Sequence, residues 1–476
     1  MLVVGPIGRR GIAAAAATRA GLPLDAPCRV MSGRLAGHRV AIATVSVFHA
    51  PNDSRCGDET PMTLTITRRG VLARGTAAAG ATLFASRGAR AQGTPPVVRL
   101  GVMSDYSGPY RDWSGPTNLA CVQQAVEEFR AQRPDIPVEV INADHQNKTD
   151  VGANVVREWF DRRDVDAVVD VNNSAVGLAV NNVVRDKNKA FLCSGASTAA
   201  LTGEQCSPNT VQWTYDTYML AKATSTAMVK AGGDAWFFIV ADYAFGHQIE
   251  RDARRFIDAA GGRVLGAARY PFPQTSDFSA LLLQAQASGA KVLGLANAGS
   301  DTVNSIKQAK EFGLHRRGMR IALMIAYVTD VHTMGLETAQ GLVLSETYYW
   351  DLNDRTRAFM NRVKPKVGNN WPNQMGAGAY SATLHYLKTV AAMGGPAAAK
   401  ASGRDTVARM KAIPTDDDCF GPGVIRADGR KMHPAYLFQV KTPADSKGPF
   451  DYYKLIGTTP PEEAFRPMAE GGCPLV

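Results

Sequence analysis

The 476-residue chain lacks the short motifs by which many enzymes are recognised. It has no G-x-S-x-G nucleophile turn, no H-E-x-x-H zinc pair, no G-x-x-x-x-G-K-[ST] phosphate loop and no G-x-G-x-x-G after an apolar run. Its eight histidines are scattered without the spacing of metal ligands, and no C-x-x-C pair is present. We therefore predict a protein that is not an enzyme and that holds no cofactor and no metal ion.

Long apolar runs are also scarce. Outside a short N-terminal stretch, no segment approaches the roughly 20 consecutive apolar residues that a membrane-spanning helix needs. The overall content of hydrophobic residues is nevertheless 45%, which is enough to bury a large core. The length and composition together predict a globular protein with more than one domain.

Net positive charge is scarce in most of the chain, although the formal net charge of the whole is +10. Residues 1–91 contain 12 arginines, no lysine and 4 acidic residues, whereas the remainder contains 41 basic and 39 acidic residues. Binding of a polyanion would require the basic residues to lie on the folded part of the protein. We therefore expect no nucleic-acid partner.

Residues 62–91 have the three parts of an export signal. A pair of arginines opens the signal, an apolar stretch of about 14 residues follows, and an A-x-A sequence ends it at Ala91. We predict cleavage after Ala91 and a periplasmic location. A twin-arginine signal normally begins a chain, so Met62 is the expected start and residues 1–61 are a non-native or disordered extension. A regulatory or anchoring extension is the alternative.

Apolar runs alternate with amphipathic stretches beyond residue 96, which predicts βαβ units and parallel sheets. The pattern restarts after Pro208, so two α/β blocks are expected. The predicted strands lie near 97–103, 137–142, 166–170 and 190–193 in the first block, and near 235–240, 262–268, 291–295 and 320–325 in the second.

Polar loops follow several of these strands. The first is SDYSGPYRDWSGP at 104–116, and the turns VNNS at 171–174 and SGAST at 194–198 follow later strands. Ligands of open α/β sheets bind at loops that leave the carboxyl ends of strands. Helices that begin at such loops present free N–H groups, which suit a carboxylate.

Three of the motifs resemble those of periplasmic solute-binding proteins of the branched-chain amino acid ABC transporter type. They are S-x-x-S-G-P at 104–109, the small-residue turn at 195–197, and D-Y-A-F-G at 242–246. The resemblance extends over about residues 96–476. It implies an α/β fold in which two doubly wound three-layer lobes are joined by a three-crossing hinge, the type I periplasmic-binding fold.

The resemblance also implies how the chain is divided. A first lobe would comprise 97–214 and 346–428, a second 215–345 and 429–460, and a C-terminal tail 461–476. Crossings are expected near 214–216, 344–347 and 427–432. The implied function is capture by lobe closure of a small carboxylate- or amide-bearing ligand, either branched-chain amino acid-like or an aromatic or keto acid. The protein would act as a monomer that delivers this ligand to the permease subunits of an ABC importer. A ligand-sensing subunit of a membrane receptor and an amide or ester hydrolase are the alternatives.

The candidate ligand-binding residues come from loops of both lobes. The first lobe contributes Tyr110, Trp113, Asn172, Asn173, Ser174, Gly195, Ala196 and Ser197. The second contributes Tyr215 at the hinge, Tyr243, Asn297 and Tyr327. In the family that the sequence resembles, the turn matching 195–197 gives backbone N–H and hydroxyl groups to a ligand carboxylate.

The second lobe departs from that family at one position. Members that bind amino acids usually have an acidic residue after the strand that here ends in IALMIAY, and this chain has Tyr327 there. A buried ammonium without a counter-ion costs several kcal/mol. We therefore expect a carboxylate or amide ligand without an obligatory α-ammonium, such as an aromatic or keto acid. Asp242 and Asp301 remain alternative counter-ions.

Five cysteines follow the predicted signal, an odd number for an oxidising compartment. Cys193 and Cys206 bracket the candidate carboxylate turn, so a disulfide between them is expected. A second disulfide is expected between Cys419 and Cys473, which leaves Cys121 as a buried thiol. Cys121 could instead pair with Cys473.

Overall fold

The protein is described here by a computed structural model that covers residues 96–476. The predicted signal, its cleavage site and the extension before it lie outside the described residues. Within 96–476, no helix is both long enough and apolar enough to cross a membrane.

The first lobe is built on five parallel strands. In chain order its elements are β1 (Val98–Ser104), α1 (Gly115–Gln132), β2 (Val138–Asp144), α2 (Thr149–Arg162), β3 (Ala167–Asp170), α3 (Ser174–Asp186), β4 (Ala190–Cys193) and β5 (Thr210–Gln212). The strands stand in the order β2-β1-β3-β4-β5. The prediction ended this sheet at β4. The prediction missed β5 because that strand has three residues, too few to show a periodic pattern.

The second lobe is built on four parallel strands in the order β7-β6-β8-β9. Its elements are α4 (Thr217–Lys230), β6 (Ala235–Ala241), α5 (Ala244–Ala259), β7 (Arg263–Tyr270), α6 (Ser279–Ala287), β8 (Val292–Ala296), α7 (Ser300–Glu311), β9 (Arg320–Leu323), α8 (Val328–Met334), α9 (Leu336–Ala339) and β10 (Val343–Glu346). The strand β10 belongs to a separate sheet.

The remaining elements return to both lobes. They are α10 (Asp354–Val367), α11 (Gln374–Ala392), α12 (Pro396–Ala401), α13 (Gly403–Ala412), β11 (Val424–Ile425), β12 (Lys431–Met432), β13 (Ala435–Val440), β14 (Tyr453–Thr459) and α14 (Pro461–Ala464). The strands β10, β13 and β14 form an antiparallel sheet, and β11 pairs with β12.

The parallel strands are buried on both faces because helices cover both sides of each sheet. In β3, Ala167 and Val169 pack into the core shared with α1 and α11, whereas Val168 packs into the core shared with α2 and α3. This alternation is the two-residue period of a strand. It makes the first lobe a three-layer structure, as predicted.

The chain passes between the two lobes more than once. After β10 it returns to the first core, where α11 packs along α1. After β12 it reaches the second core, where Phe438 and Tyr453 pack with Phe237 of β6. An isolated backbone β-bridge joins Arg430 to Gln212 at the edge of the first sheet, so the β11–β12 hairpin contacts the first lobe. The lobe boundaries given above stay predictions.

The disulfide predictions are wrong. The structure joins Cys206 to Cys473, and Cys121, Cys193 and Cys419 are free thiols. Cys193 ends β4 in the core, and its Sγ lies 3.5 Å from the carbonyl oxygen of Ala196 rather than facing Cys206. Burial also raises the pKa of the Cys193 thiol to about 12. The C-terminal tail comes back to residue 206 only through the tertiary fold.

Candidate functional site

Loops at the carboxyl ends of both parallel sheets enclose a small cavity between the lobes. Its volume is about 10 Å³ in this arrangement of the lobes, which is room for about one water molecule. The first lobe lines it with loops that follow β1, β3 and β4, and the second lobe with loops that follow β6, β8 and β9. The lining residues are Tyr110, Trp113, Asn172, Ser174, Gly195, Ser197, Tyr215, Tyr243, Phe245, Ala298, Ile325 and Met375.

Eight of the twelve residues predicted from the sequence line this cavity, and four further lining residues were not in the prediction. Phe245 belongs to the DYAFG turn, and Ala298 adjoins the predicted Asn297. Ile325 ends a predicted strand, so the same strand-end rule could have found it. Met375 begins α11, and no motif marks it. A role of these side chains in ligand binding remains a prediction.

The other four predicted residues lie beside the cavity. Asn173 caps α3, since its Oδ1 accepts hydrogen bonds from the backbone N–H groups of Ala175 and Val176. The carbonyl oxygen of Ala196 accepts a hydrogen bond from Gln212, and Asn297 bonds to Thr302 and Ser305 within the second lobe. Tyr327 is fully buried behind Trp113, with 4.4 Å between their ring centroids.

A polar wall is formed by the first lobe. The hydroxyls of Ser174 and Ser197 lie 3.4 Å apart, and Ser174 Oγ accepts a hydrogen bond from the backbone N–H of Thr198. The backbone N–H groups of Ala196 and Ser197 donate no hydrogen bond to another residue of the described chain. These two amides and two hydroxyls can together bind an anionic oxygen at the N-terminus of α3.

Gln212 holds the turn that carries these amides. Its Nε2 donates to the carbonyl oxygens of Ala196, at 2.9 Å, and Thr198, at 3.0 Å. With both carbonyls bound from behind, the backbone of the turn is kept in one orientation. The hydroxyl of Tyr215 adds a hydrogen bond of 2.7 Å to the carbonyl oxygen of Gly195.

The turn also requires a glycine. A Cβ atom at Gly195 would lie 2.6 Å from the Cα of Asn172, so only glycine allows the two loops to approach this closely. The neighbouring backbone is strained, because Asp170 and Val171 have φ values of 81° and 62°. Such conformations cluster at ligand-binding sites, where the surrounding structure maintains them.

An aromatic wall faces the polar one. Tyr110 stacks on Trp113 and on Phe272, with ring centroids 5.4 Å apart in both pairs. Phe272 also stacks on Tyr243 at 4.4 Å. Because Tyr110 and Trp113 belong to the first lobe and the other two rings to the second, this cluster crosses the cleft. Flat aromatic faces of this kind suit a planar ligand.

Several hydrogen bonds join the lobes directly at the cleft, and three of them lie beside the aromatic rings. The hydroxyls of Tyr110 and Tyr243 are 2.5 Å apart, and the backbone N–H of Ser300 donates to the carbonyl oxygen of Pro109 at 3.2 Å. The indole N–H of Trp113 donates to Oδ1 of Asp330 at 2.7 Å. These contacts, together with the small cavity, define a closed arrangement of the lobes.

Among residues 96–476, no charged side chain lines the cavity. Asp242 is bonded to His247 and half exposed, and Asp301 accepts a hydrogen bond from Tyr270, so neither alternative counter-ion reaches the cavity. Asp330 is acidic and close, but its oxygens are occupied by Trp113 and by the backbone N–H of Tyr327. Burial raises the pKa of Asp330 to about 7.

A larger cavity of about 660 Å³ opens on the outer side of the second lobe, between α4, β9 and β10. It contains none of the predicted residues and lies at no carboxyl end of a parallel sheet. The smaller cavity between the lobes is therefore the candidate ligand site.

The sequence of residues 97–449 matches the periplasmic binding protein family. The chain belongs to that family. A crystal structure of a periplasmic binding protein from Burkholderia mallei shares 44% identity, covers 80% of this chain and 99% of its own, and has a TM-score of 0.75. A branched-chain amino acid ABC transporter periplasmic ligand-binding protein from Burkholderia xenovorans shares 39% identity over 79% of this chain and 99% of its own, with a TM-score of 0.69.

More distant relatives share the fold alone. An ABC transporter solute-binding protein from R. palustris, solved in complex with 4-hydroxybenzoate, is 19% identical over 78% of this chain and 99% of its own, with a TM-score of 0.70. No curated protein sequence matches the chain. The predicted family and the predicted two-lobed α/β fold of this periplasmic binding protein are confirmed.

Proposed function

We propose that this periplasmic binding protein captures a small aromatic or keto carboxylate between its lobes and delivers it to an ABC importer. The observation that carries the proposal is the composition of the cavity wall. It offers N–H and hydroxyl donors on one side, aromatic rings on the other, and no charged side chain.

The polar wall supports a carboxylate. Ser174 and Ser197 supply hydroxyls, and the free amides of Ala196 and Ser197 lie beside the positive end of α3. Hydrogen bonds to a charged acceptor are roughly twice as strong as those between neutral groups. A carboxylate placed here would also close the lobes, since Tyr243 and Phe245 would cover it from the second lobe.

The lack of a carboxylate in the lining argues against an α-ammonium. An amino acid would bury its ammonium group against aromatic rings and methyl groups without a counter-ion, which costs several kcal/mol. A keto acid or a benzoate-like acid has no such group. The 4-hydroxybenzoate and benzoate complexes of distant relatives show that the fold can hold an aromatic acid, although their identity to this chain is low.

Matched ligand pairs test this proposal. Phenylpyruvate and phenylalanine share one carbon skeleton, as do 4-methyl-2-oxopentanoate and leucine, and each pair differs in a keto or an ammonium group. Thermal unfolding of the mature protein should shift to higher temperature with the keto acids or with benzoate, because a ligand that binds only the native state stabilises it. A shift with leucine or phenylalanine alone would contradict the proposal.

Two variants make the test specific to the cavity. Ser197→Ala removes one donor of the polar wall and should weaken binding of a carboxylate by roughly 10- to 150-fold, since a hydrogen bond to a charged group contributes about 1.5 to 3 kcal/mol. Ser276→Ala removes an exposed hydroxyl of the second lobe that does not line the cavity and serves as the matched control. Equal loss of binding in both variants would place the site elsewhere.

Export and delivery complete the proposed role. We expect the mature, monomeric protein to begin at Gln92 after removal of the twin-arginine signal. We also expect a strain that lacks the protein to lose ligand uptake. N-terminal sequencing of the exported protein and uptake of the labelled keto acid test these two steps. Ligand recovered unchanged from the pure protein would agree with a binding function and not with a hydrolase.

A further inference from the structure

The C-terminal tail contacts both lobes. Residues 465–473, which we term the C-terminal strap, follow α14 and end at the cysteine of the disulfide. This segment lies at the side of the hinge, where Phe465 packs against Arg430 and His433. The guanidinium carbon of Arg430 is 4.6 Å from the ring centroid of Phe465, and the ring of His433 is 5.2 Å away.

The strap is anchored to the first lobe at both of its ends. Cys473 forms the disulfide with Cys206, which follows the helical turn Ala199–Thr202. Arg466 Nη2 donates to the carbonyl oxygen of Ala199 at 2.8 Å, one residue beyond the turn that carries the free amides of the cavity. Arg426 Nη1 in turn donates to the carbonyl oxygen of Arg466 at 2.9 Å.

The same segment is also held by the second lobe. Phe465 is 1% exposed and belongs to the core formed with α4 and β6. Just before it, the carbonyl oxygen of Glu463 accepts a hydrogen bond of 2.5 Å from Lys222 of α4. Further along, Glu470 Oε2 lies 2.7 Å from Arg255 Nη2 of α5.

The attachment leaves little slack between the lobes. Phe465 is packed in the second lobe and the next residue, Arg466, is bonded to the first, so a single Cα–Cα step of about 3.8 Å connects them. Glu470 then returns to the second lobe before Cys473 reaches the first. A free C-terminus in this position would fray, whereas the disulfide prevents it from leaving the first lobe.

We propose that the C-terminal strap is a fourth connection between the lobes, which the Cys206–Cys473 disulfide makes permanent and which limits how far the cleft opens. The strap holds the helical turn Ala199–Thr202, which adjoins the polar wall, at a set distance from α5 of the second lobe. It thus restricts the open state rather than contacting the ligand. The inference does not depend on which ligand the cavity takes.

Small-angle X-ray scattering of the ligand-free mature protein tests the proposal. The variant with both Cys206→Ser and Cys473→Ser should have a larger radius of gyration and maximum dimension than the wild type. Cys121→Ala removes a free buried thiol of the first core and should scatter as the wild type does. Identical curves for the wild type and the double serine variant, with the loss of the disulfide verified by mass spectrometry, would overturn the proposal.

Charge reversal provides a second arm that does not touch the disulfide. The side chains of Arg255 and Glu470 are 54% and 42% exposed, so substitutions there should not disturb folding. Arg255→Glu and Glu470→Arg should each shift the scattering toward larger dimensions, but by less than the double serine variant does, because the disulfide remains. The double swap should restore the wild-type curve, because the pair is rebuilt with opposite polarity. Expansion in the double swap equal to that in the single variants would contradict an interlobe role of this contact.

Discussion

Replacement of Asp330 by asparagine should remove part of the pH dependence of stability. Asp330 accepts hydrogen bonds from Trp113 Nε1 at 2.7 Å and from the backbone N–H of Tyr327 at 2.8 Å, at the contact between the lobes. Two other carboxyl groups lie nearby, those of Asp112 and Glu346. Burial is the main reason that the pKa of Asp330 rises from its ordinary value of 3.8 to about 7.

The sign and size of the effect follow from proton linkage. An acid whose pKa is raised by folding binds its proton more tightly in the native state, so its contribution is fully present below about pH 4. The contribution is lost as the pH rises toward and through 7. Each pKa unit corresponds to about 1.4 kcal/mol, so the wild type should lose about 2 to 3 kcal/mol at this site between pH 5 and pH 8.

Urea unfolding of both proteins at several pH values provides the measurement. Asp330→Asn leaves one N–H group without an acceptor and should cost about 1 to 3 kcal/mol at pH 5. The difference from the wild type should then shrink as the pH rises to 8. Asp301→Asn provides a comparison, since Asp301 is buried within the second lobe with a pKa raised to about 6, so its difference from the wild type should shrink over a lower range that ends near pH 6. Parallel curves for the wild type and Asp330→Asn would refute this reasoning.

Three further predictions concern the cavity and the disulfide. Gln212→Met removes both hydrogen bonds that orient the carboxylate turn and should lower the free energy of unfolding by about 1 to 3 kcal/mol and weaken ligand binding in calorimetry; unchanged affinity would show that the turn holds its shape alone. Tyr243→Phe removes the hydroxyl bonded to Tyr110 and should weaken binding by about 1 kcal/mol, whereas tighter binding would contradict the proposed closure. Reduction of the Cys206–Cys473 disulfide, which spans 267 residues, should lower the urea midpoint, because the chain-entropy estimate for such a loop is about 5.6 kcal/mol. An unchanged midpoint would contradict a stabilising role of this disulfide.

The fold was largely predictable because its signals are local. Strands such as Ala235–Ala241 are continuous apolar runs, and the helices between them are amphipathic, so the βαβ order can be read along the chain. The short strand β5 carries no such pattern, because three residues at a sheet edge are defined by their partner strand and not by their own periodicity.

The site was predictable in part for a similar reason. The carboxyl ends of parallel strands meet at one edge of a sheet, which places loops as distant as those of Trp113 and Ser197 at one cavity. Whether a given side chain faces the cavity depends on loop conformation. Tyr327 and Asn297 occupy the expected loops but point into the protein, and Met375 reaches the cavity from a helix with no motif.

The sequence by itself determined the family, the two α/β blocks and the loops that form the cleft, because periodicity and short motifs are properties of neighbouring residues. Only the tertiary structure decided which cysteines pair, since Cys206 and Cys473 approach to a Cα–Cα distance of 5.6 Å through the return of the tail across the hinge. It also decided that Asp330 bonds to Trp113 instead of lining the cavity. Such contacts depend on distances between segments that are far apart in the chain, and no local pattern encodes them.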